Sequence, residues 1–447
     1  MLNWLSERID LTRLQVILLQ TLALTLPFST EITVIGDNKL YFPTEPLMIF
    51  LAIVVLLDLL IRPGSFGDLF SKKSWLVLPF AAALLLAAAF SEMKIVSLKF
   101  TAINLLYLLI FFFSLQRLIT RAPKLFVQLL SLYTAGFTLI ALLALYRYSQ
   151  YEWNPAVVKA IFQPFYKDHT IFGATAALLS AFWLSLPYNG RLIIPRLWLR
   201  ATGIAMGGAV LLSYSRAALL SLIVFLFFRI LFAFRIRLWQ LTSIAGILLV
   251  YLLLNHQTLL SSLNANRHDS GDKQSDLVEH TLSAGNVNTD VSNRERLNRW
   301  ISGLSMFAEK PVTGFGPGTY QFAYIPFQKP EFMTWLSVTD PYHIPDNSGG
   351  TAHSEYILAL SEMGIPGILA WLVLIAGLTG MAFRNAPEHP GRGYLVAGFA
   401  ALSTYLFHAF FNNFLNTDKF AFLFWGMIAW MCVKSINNQS DEKRILS

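Results

Sequence analysis

The chain has 447 residues, 55% of them hydrophobic and only 13% charged, with a mean hydropathy of +0.53. A soluble domain carries about 25% charged residues, so this balance excludes an ordinary soluble enzyme and points to a polytopic membrane protein. The net charge of +8 reads as topology rather than nucleic-acid binding, because Lys and Arg collect in cytoplasmic loops. The lone cysteine, Cys432, excludes an intramolecular disulfide and a cysteine-rich metal site.

In chain order, apolar runs predict an all-α protein of about twelve transmembrane helices, near 13–29, 45–62, 74–90, 97–115, 122–146, 169–187, 200–214, 217–234, 238–254, 366–384, 392–411 and 417–435. The N-terminus shows no short apolar core followed by a small-residue cleavage site, so the first span is expected to remain as an anchor. Nine spans form an N-terminal bundle over 1–254, with only Ser213-Tyr214-Ser215-Arg216 separating the seventh from the eighth. Basic residues favour a topology with both termini cytoplasmic, which leaves 255–352 as one long periplasmic loop and 438–447 as a cytoplasmic tail.

Within that loop, 261–293 is rich in Ser, Asn, Asp and Gly and is expected to be mobile. Residues 294–308 read as an interfacial helix, because Trp300, Ile301, Leu304 and Phe307 recur at helical spacing. A turn-dense stretch with Gly314, Gly316 and Gly318 follows. The part 353–437 comprises a helix start on the periplasmic side and three C-terminal spans. No internal repeat is visible, which weakens a transporter or flippase reading built on repeated halves.

Candidate chemistry gathers around that loop. His353 heads a segment with Glu355, Tyr356 and Glu362; a loop histidine is most often merely solvated, but here an imidazole and a carboxylate enter the first turn of a helix. A neutral histidine there can take a proton from a hydroxyl. Glu362 can equally serve as a cap or a structural pair. Arg216, at the end of a span, either snorkels to headgroups or binds an anion. Arg294, Arg296 and Arg299 can form a solvated face, or clamp a phosphate with a planar guanidinium.

Together these groups suit transfer of a glycan from a polyprenyl pyrophosphate. Arginines neutralise the leaving group, and His353 or Glu355 orients the acceptor hydroxyl. The chain has no His-Glu-x-x-His, no Gly-rich phosphate loop followed by Lys and no Asp-x-Asp in a plausible outer loop. Neither a metal nor a cofactor is therefore expected.

Three stretches carry a resemblance. Ser213-Tyr214-Ser215-Arg216 is one; Arg296-Leu297-Asn298-Arg299-Trp300 with the glycine-rich stretch from Pro311 to Tyr320 is the second. The third is His353-Ser354-Glu355-Tyr356, continued by Glu362-Met363-Gly364-Ile365-Pro366-Gly367. In order and spacing the set resembles the bacterial O-antigen ligase and polymerase superfamily of membrane glycan transferases, with Ser354 where that family often has Asn. The resemblance implies a fold like that of polyprenyl-dependent (GT-C-like) glycosyltransferases, a lipid-linked glycan donor and inverting transfer on the periplasmic face of the bacterial inner membrane. It implies catalytic roles for Arg216, Arg296 and His353, donor or acceptor contacts for Arg299, Glu355 and Tyr356, and motif roles for Gly314, Gly316, Gly318, Glu362, Gly364 and Gly367.

The motifs suit three acceptors: the lipid A core for a ligase, a second lipid-linked glycan for a polymerase, and a Ser or Thr hydroxyl for a protein glycosyltransferase. The single long loop with Arg and His at its two ends resembles the ligase layout most.

Overall fold

The computed structural model describes residues 10–35, 38–62, 66–70, 73–188, 195–255, 257–258, 290–340, 350–384 and 392–445. All twelve apolar runs are helical. The helices are α1 (Leu11–Thr25), α2 (Thr44–Ile61), α3 (Leu78–Phe90), α4 (Lys94–Tyr107, continuing to Arg121 through a π-helical stretch at Leu108–Ser114), α5 (Leu125–Gln150), α6 (His169–Ser185), α7 (Arg196–Leu212), α8 (Arg216–Ala233) and α9 (Leu238–Leu254). After the long loop come α10 (Val291–Glu309), α11 (Glu355–Arg384), α12 (Arg392–His408) and α13 (Asp418–Ile445). Among the described residues six helical stretches are long and apolar enough to cross a membrane, the longest being Glu355–Phe383 and Lys94–Arg121. The chain is a multi-pass membrane protein.

One expectation of the all-α reading needs correction. Thr30–Ile35 and Asn38–Phe42 pair as an antiparallel hairpin between α1 and α2. The pairing uses the period-two alternation of Glu31-Ile32-Thr33, and Tyr41 Oη donates to Glu31 Oε1 across it at 2.7 Å.

α6 lies at the centre, buried along nearly its whole length and packed against α7, α8 and α12. Helices enclosed on all sides need no polar face, and α12 follows the same pattern. Gly173 in α6 makes the close approach to α8 possible: a Cβ there would come within 2.5 Å of Ser213 Oγ and 3.0 Å of Ala218 Cβ. The junction between α7 and α8 is a true break. Tyr214 has a left-handed φ of 48°, and Ser215 caps α8 by accepting from Ala218 N at 3.3 Å. Arg216 is thereby held in the first position of α8.

α10 begins earlier than its apolar spacing suggested. Asp290 is its N-cap, accepting from Asn293 N at 3.1 Å, so 290–293 is helix start; 261–289 lies outside the described residues. Its enclosed face is also a different one. Glu295, Asn298, Arg299, Ser302, Gly303 and Met306 are buried, whereas Leu304, on the expected apolar face, is 47% exposed. Paired charges and small residues let this polar face pack on α11, leaving the Trp300–Leu304 side partly open.

α11 bends at Gly364, where φ is 63°. There Ile365 N leaves the helical pattern and donates to Pro311 O at 2.8 Å. A Cβ on Gly364 would sit 2.5 Å from that same carbonyl, so only glycine fits the bend.

Candidate functional site

Four helix ends meet at the end of the bundle where the 290–353 segment attaches. Arg216 at the start of α8 donates from Nη1 to Asp290 Oδ2 at 2.9 Å and from Nη2 to Asn293 Oδ1 at 3.4 Å. Arg296, one turn along α10, donates from Nη1 to the same Asn293 Oδ1 at 3.3 Å. Two arginines 80 residues apart in sequence therefore meet on one amide oxygen. Arg296 Nε is buried and without a partner, a costly state for a guanidinium unless it awaits an anion. Burial, followed by the charge of Arg216, pulls the Arg296 pKa down to about 10; it remains a full cation at neutral pH.

His353, whose ring feels the charge of Arg296, stands directly before α11 in a left-handed conformation with φ 48°. Ser354 begins the helix, its Oγ accepting from Ile357 N at 3.4 Å, a capping task that Asn would also perform. Trp300 Nε1 of α10 donates to His353 O at 3.4 Å. Burial, then Arg299 and Arg296, push the imidazole down to about 3 from an ordinary 6.5. It is thus neutral throughout the physiological range. A buried neutral base loses folding stability as pH falls from 6.5 towards 3, where the unfolded chain binds the extra proton. Arg296 and His353 nevertheless keep some accessible surface.

Further groups that the sequence did not single out converge here. Asp168 caps α6, accepting from Thr170 N at 2.8 Å, and its charge reaches both Arg296 and His353. His169 Nδ1 lies 2.6 Å from Ser213 O, tying α6 to the turn that carries Arg216. His408 ends α12, with Nε2 3.4 Å from Asn412 Nδ2; Asn412 lies near enough to His353 to raise its pKa slightly against the larger effect of burial. All three histidines among the described residues, His169, His353 and His408, belong to this cluster. Among the described residues no group of three His, Cys, Asp or Glu side chains is arranged to hold a metal ion.

Other expected site residues have structural partners. Arg299 is enclosed: Nε donates to Glu295 Oε1 at 2.8 Å and Nη1 to Thr351 O at 3.0 Å. Its side chain has 0% accessibility. It clamps α10 to the loop that leads into His353, while its Nη2 is buried without a partner. Glu355 Oε1 accepts from Tyr405 Oη at 2.5 Å and Leu415 N at 3.0 Å, and its backbone N donates to Ala409 O at 2.9 Å. Tyr356 Oη donates to Leu406 O at 2.7 Å. Both residues fasten α11 to the end of α12 and the turn beyond it. A helix start shows from sequence which groups enter the first turn, not which neighbour they meet.

Glu362 organises the glycine-rich stretch. Its Oε2 accepts from Gly318 N at 2.8 Å and its Oε1 from Tyr320 N at 2.9 Å. Phe315 N and Gly316 N donate to Ser361 O and Glu362 O at 3.0 and 2.9 Å. Gly314, Gly316 and Gly318 all have left-handed φ values. At Gly314 a Cβ would lie 2.3 Å from the Glu362 carbonyl carbon, so the loop seats directly on α11 only without a side chain. Gly367 follows the bend and faces Ala359 O. The motif is a clasp that fixes the angle between α10 and α11, and with it the spacing of Arg296 from His353. Glu362→Gln sets an amide donor against one of these backbone N–H groups and is expected to cost about 1–3 kcal/mol, measurable as a lowered thermal midpoint in detergent.

A family model described as O-antigen ligase matches residues 201–372. No curated protein matches the chain significantly. The matched stretch contains Arg216, Arg296, His353 and Glu362; Asp168, His408 and Asn412 lie outside it. That stretch, which spans both arginines, the glycine clasp and the histidine, is similar to the O-antigen ligase family and supports the resemblance to the O-antigen ligase and polymerase superfamily.

Proposed function

We propose that this protein is an O-antigen ligase-like glycosyltransferase, which moves a glycan from undecaprenyl pyrophosphate to a hydroxyl of the lipid A core. The observation that carries the reading is the meeting of Arg216 and Arg296 on Asn293, with Arg296 Nε unpartnered and His353 adjacent. The proposed topology has twelve spans, both termini cytoplasmic, the site on the periplasmic face of the inner membrane and a GT-C-like bundle.

In the proposed step, the acceptor hydroxyl oxygen attacks the anomeric carbon of the donor sugar, in line with the departing phosphate. The bond from that carbon to the phosphate oxygen breaks, and its electron pair leaves with the polyprenyl pyrophosphate. Arg216 and Arg296 stabilise the charge that develops there, in a low-dielectric setting where fixed cations act strongly. The hydroxyl proton passes to a ring nitrogen of His353. In the free protein that nitrogen is a poor base, held down by burial and by two arginines. A bound pyrophosphate offsets the arginine charges, so donor binding raises the basicity of His353 only when a donor is in place.

Purified protein in lipid vesicles, given an undecaprenyl-linked glycan, is expected to glycosylate lipid A core but neither a second lipid-linked glycan nor a Ser/Thr peptide. Elongation of the lipid-linked glycan would instead make it a polymerase, and modification of the peptide a protein glycosyltransferase.

A further inference from the structure

We propose that His169 is a positioning residue of the transfer site: its Nδ1–H holds the Ser213 carbonyl and thereby sets where Arg216 meets the donor pyrophosphate. The proposal rests on the glycan transfer proposed above and adds to it a residue outside the stretch matched by the family model.

Ser213 caps the end of α7, and the last carbonyls of a helix have no partner within it. Ser213 is 0% accessible, so bulk water is kept from its oxygen. His169 Nδ1 meets that oxygen at 2.6 Å. A carbonyl only accepts, so Nδ1 carries the proton of this bond in either charge state of the ring. Flipping the ring would set a C–H against the carbonyl, so its orientation is fixed as well. His169 Nε2 lies 3.9 Å from Asp168 Oδ1, beyond hydrogen-bond reach, which leaves Nδ1 as the nitrogen that anchors the ring.

The held carbonyl belongs to a turn with little slack. Tyr214 has a φ of 48°, a conformation that a bulky residue keeps only where its surroundings enforce it. Ser213 Oγ donates to Val210 O at 2.6 Å and accepts from Ser215 N at 3.2 Å. Gly173 lies four residues after His169 on the same face of α6, against Ser213 Oγ and Ala218 Cβ. The start of α6 therefore grips the break between α7 and α8 at two heights. Arg216 leaves that turn three residues after the held carbonyl, and its Nη1 reaches Asp290 Oδ2 at 2.9 Å. Without the His169 bond the buried carbonyl is unmet, and the turn moves towards another donor. A misplacement of about 1 Å in a site of this kind can cost roughly a hundredfold in rate.

The test uses full-length protein in vesicles, with initial rates taken against undecaprenyl-linked glycan and lipid A core in turn, and insertion checked by size-exclusion profile. Asparagine and glutamine separate the two ring nitrogens, because the Asn amide N–H falls near the place of Nδ1 and the Gln amide N–H near that of Nε2. His169→Leu and His169→Gln are expected to lower donor kcat/KM at least about tenfold. The acceptor KM should stay within about twofold of native, because His353 is untouched. His169→Asn can donate to Ser213 O but cannot take a proton where Nε2 stood, and it should return to within about threefold of native. On an Arg216→Lys background, His169→Leu should add less than about a twofold further loss, as expected of two residues acting through one contact.

Native rates in His169→Leu would overturn the proposal. So would a His169→Asn variant as impaired as His169→Gln, since Nε2 would then be the nitrogen that matters, or losses that multiply fully with Arg216→Lys. If His169→Leu does not insert, the Asn and Gln variants decide by the same criterion. Normal transfer by Arg216→Ala and His353→Ala would instead sink the functional reading itself. Loss in those two, with native rates in His169→Leu, removes the positioning role alone.

Discussion

Arg296→Ala is expected to lower kcat by about 10²–10³-fold, the usual effect of removing a fixed donor aimed at developing charge, while leaving the protein folded. The two halves of that expectation come from one geometry. Arg296 spends a single nitrogen, Nη1, on Asn293 and keeps Nε buried and unpartnered. Removing it deletes little bonding and relieves repulsion with Arg216, so the thermal midpoint should hold or rise slightly. Arg296→Lys keeps the charge but not the planar fork, and is expected to recover less than a tenth of native activity. Initial rates and thermal midpoints on the same preparations would check both halves. A lysine variant at native rate would mean that charge alone matters at this position.

The pairing of Arg216 with Arg296 was foreseeable from sequence only as chemistry. Each is a cation at the edge of an apolar run, and the step between them spans the least patterned part of the chain. What joins them is Asn293, a residue with no periodic or motif signal of its own. Asp168 and His408 were invisible for a related reason. Each sits at the end of a helix belonging to the apolar bundle, Asp168 before α6 and His408 at the close of α12, and at such positions polar residues are ordinary. Apolar runs, by contrast, located the long helices of the bundle, because length and hydropathy are properties of the local chain. The hairpin at 30–42 escaped because it is short and sits between two strong helical signals. Faces were less legible than elements: the side of α10 that packs is the polar one, since Arg299 carries its own counter-charge inside.

That buried pair carries the largest expected effect on stability. Arg299→Ala strands Glu295, whose other oxygen accepts from Thr334 Oγ1 at 2.9 Å and Ser337 Oγ at 2.5 Å. Glu295→Ala strands Arg299 equally. Removing one member of a buried ion pair typically costs about 3–5 kcal/mol, and the two variants should therefore look alike. Both should expose the 310–340 region to protease and lower the thermal midpoint, and both should lose activity through loss of fold. Replacing the pair together, as Arg299→Met with Glu295→Leu, should restore much of the stability, because no charge is then left unpaired. If Arg299→Ala instead stayed fully folded and raised the donor KM, its guanidinium would belong to the substrate and not to the frame.

Arg296 and Arg299, two of the three arginines of α10, thus divide the work by where their partners lie. Arg299 is saturated by the protein on most of its nitrogens, and the loop into His353 depends on it. Arg296 is held in reserve three residues earlier. The glycine clasp on Glu362 sets the angle at which α10 meets α11, so it acts on the chemistry through distance rather than contact.

The central claim is that Arg216, Arg296 and His353 form one site for transfer from a pyrophosphate-linked donor. It is tested most directly by reconstituting the purified protein with undecaprenyl-linked glycan and lipid A core, and comparing native protein with Arg216→Ala and His353→Ala. The account predicts glycosylated lipid A core from the native protein and essentially none from either variant, with both variants inserted and monodisperse. Product at near-native rates from either variant would contradict it.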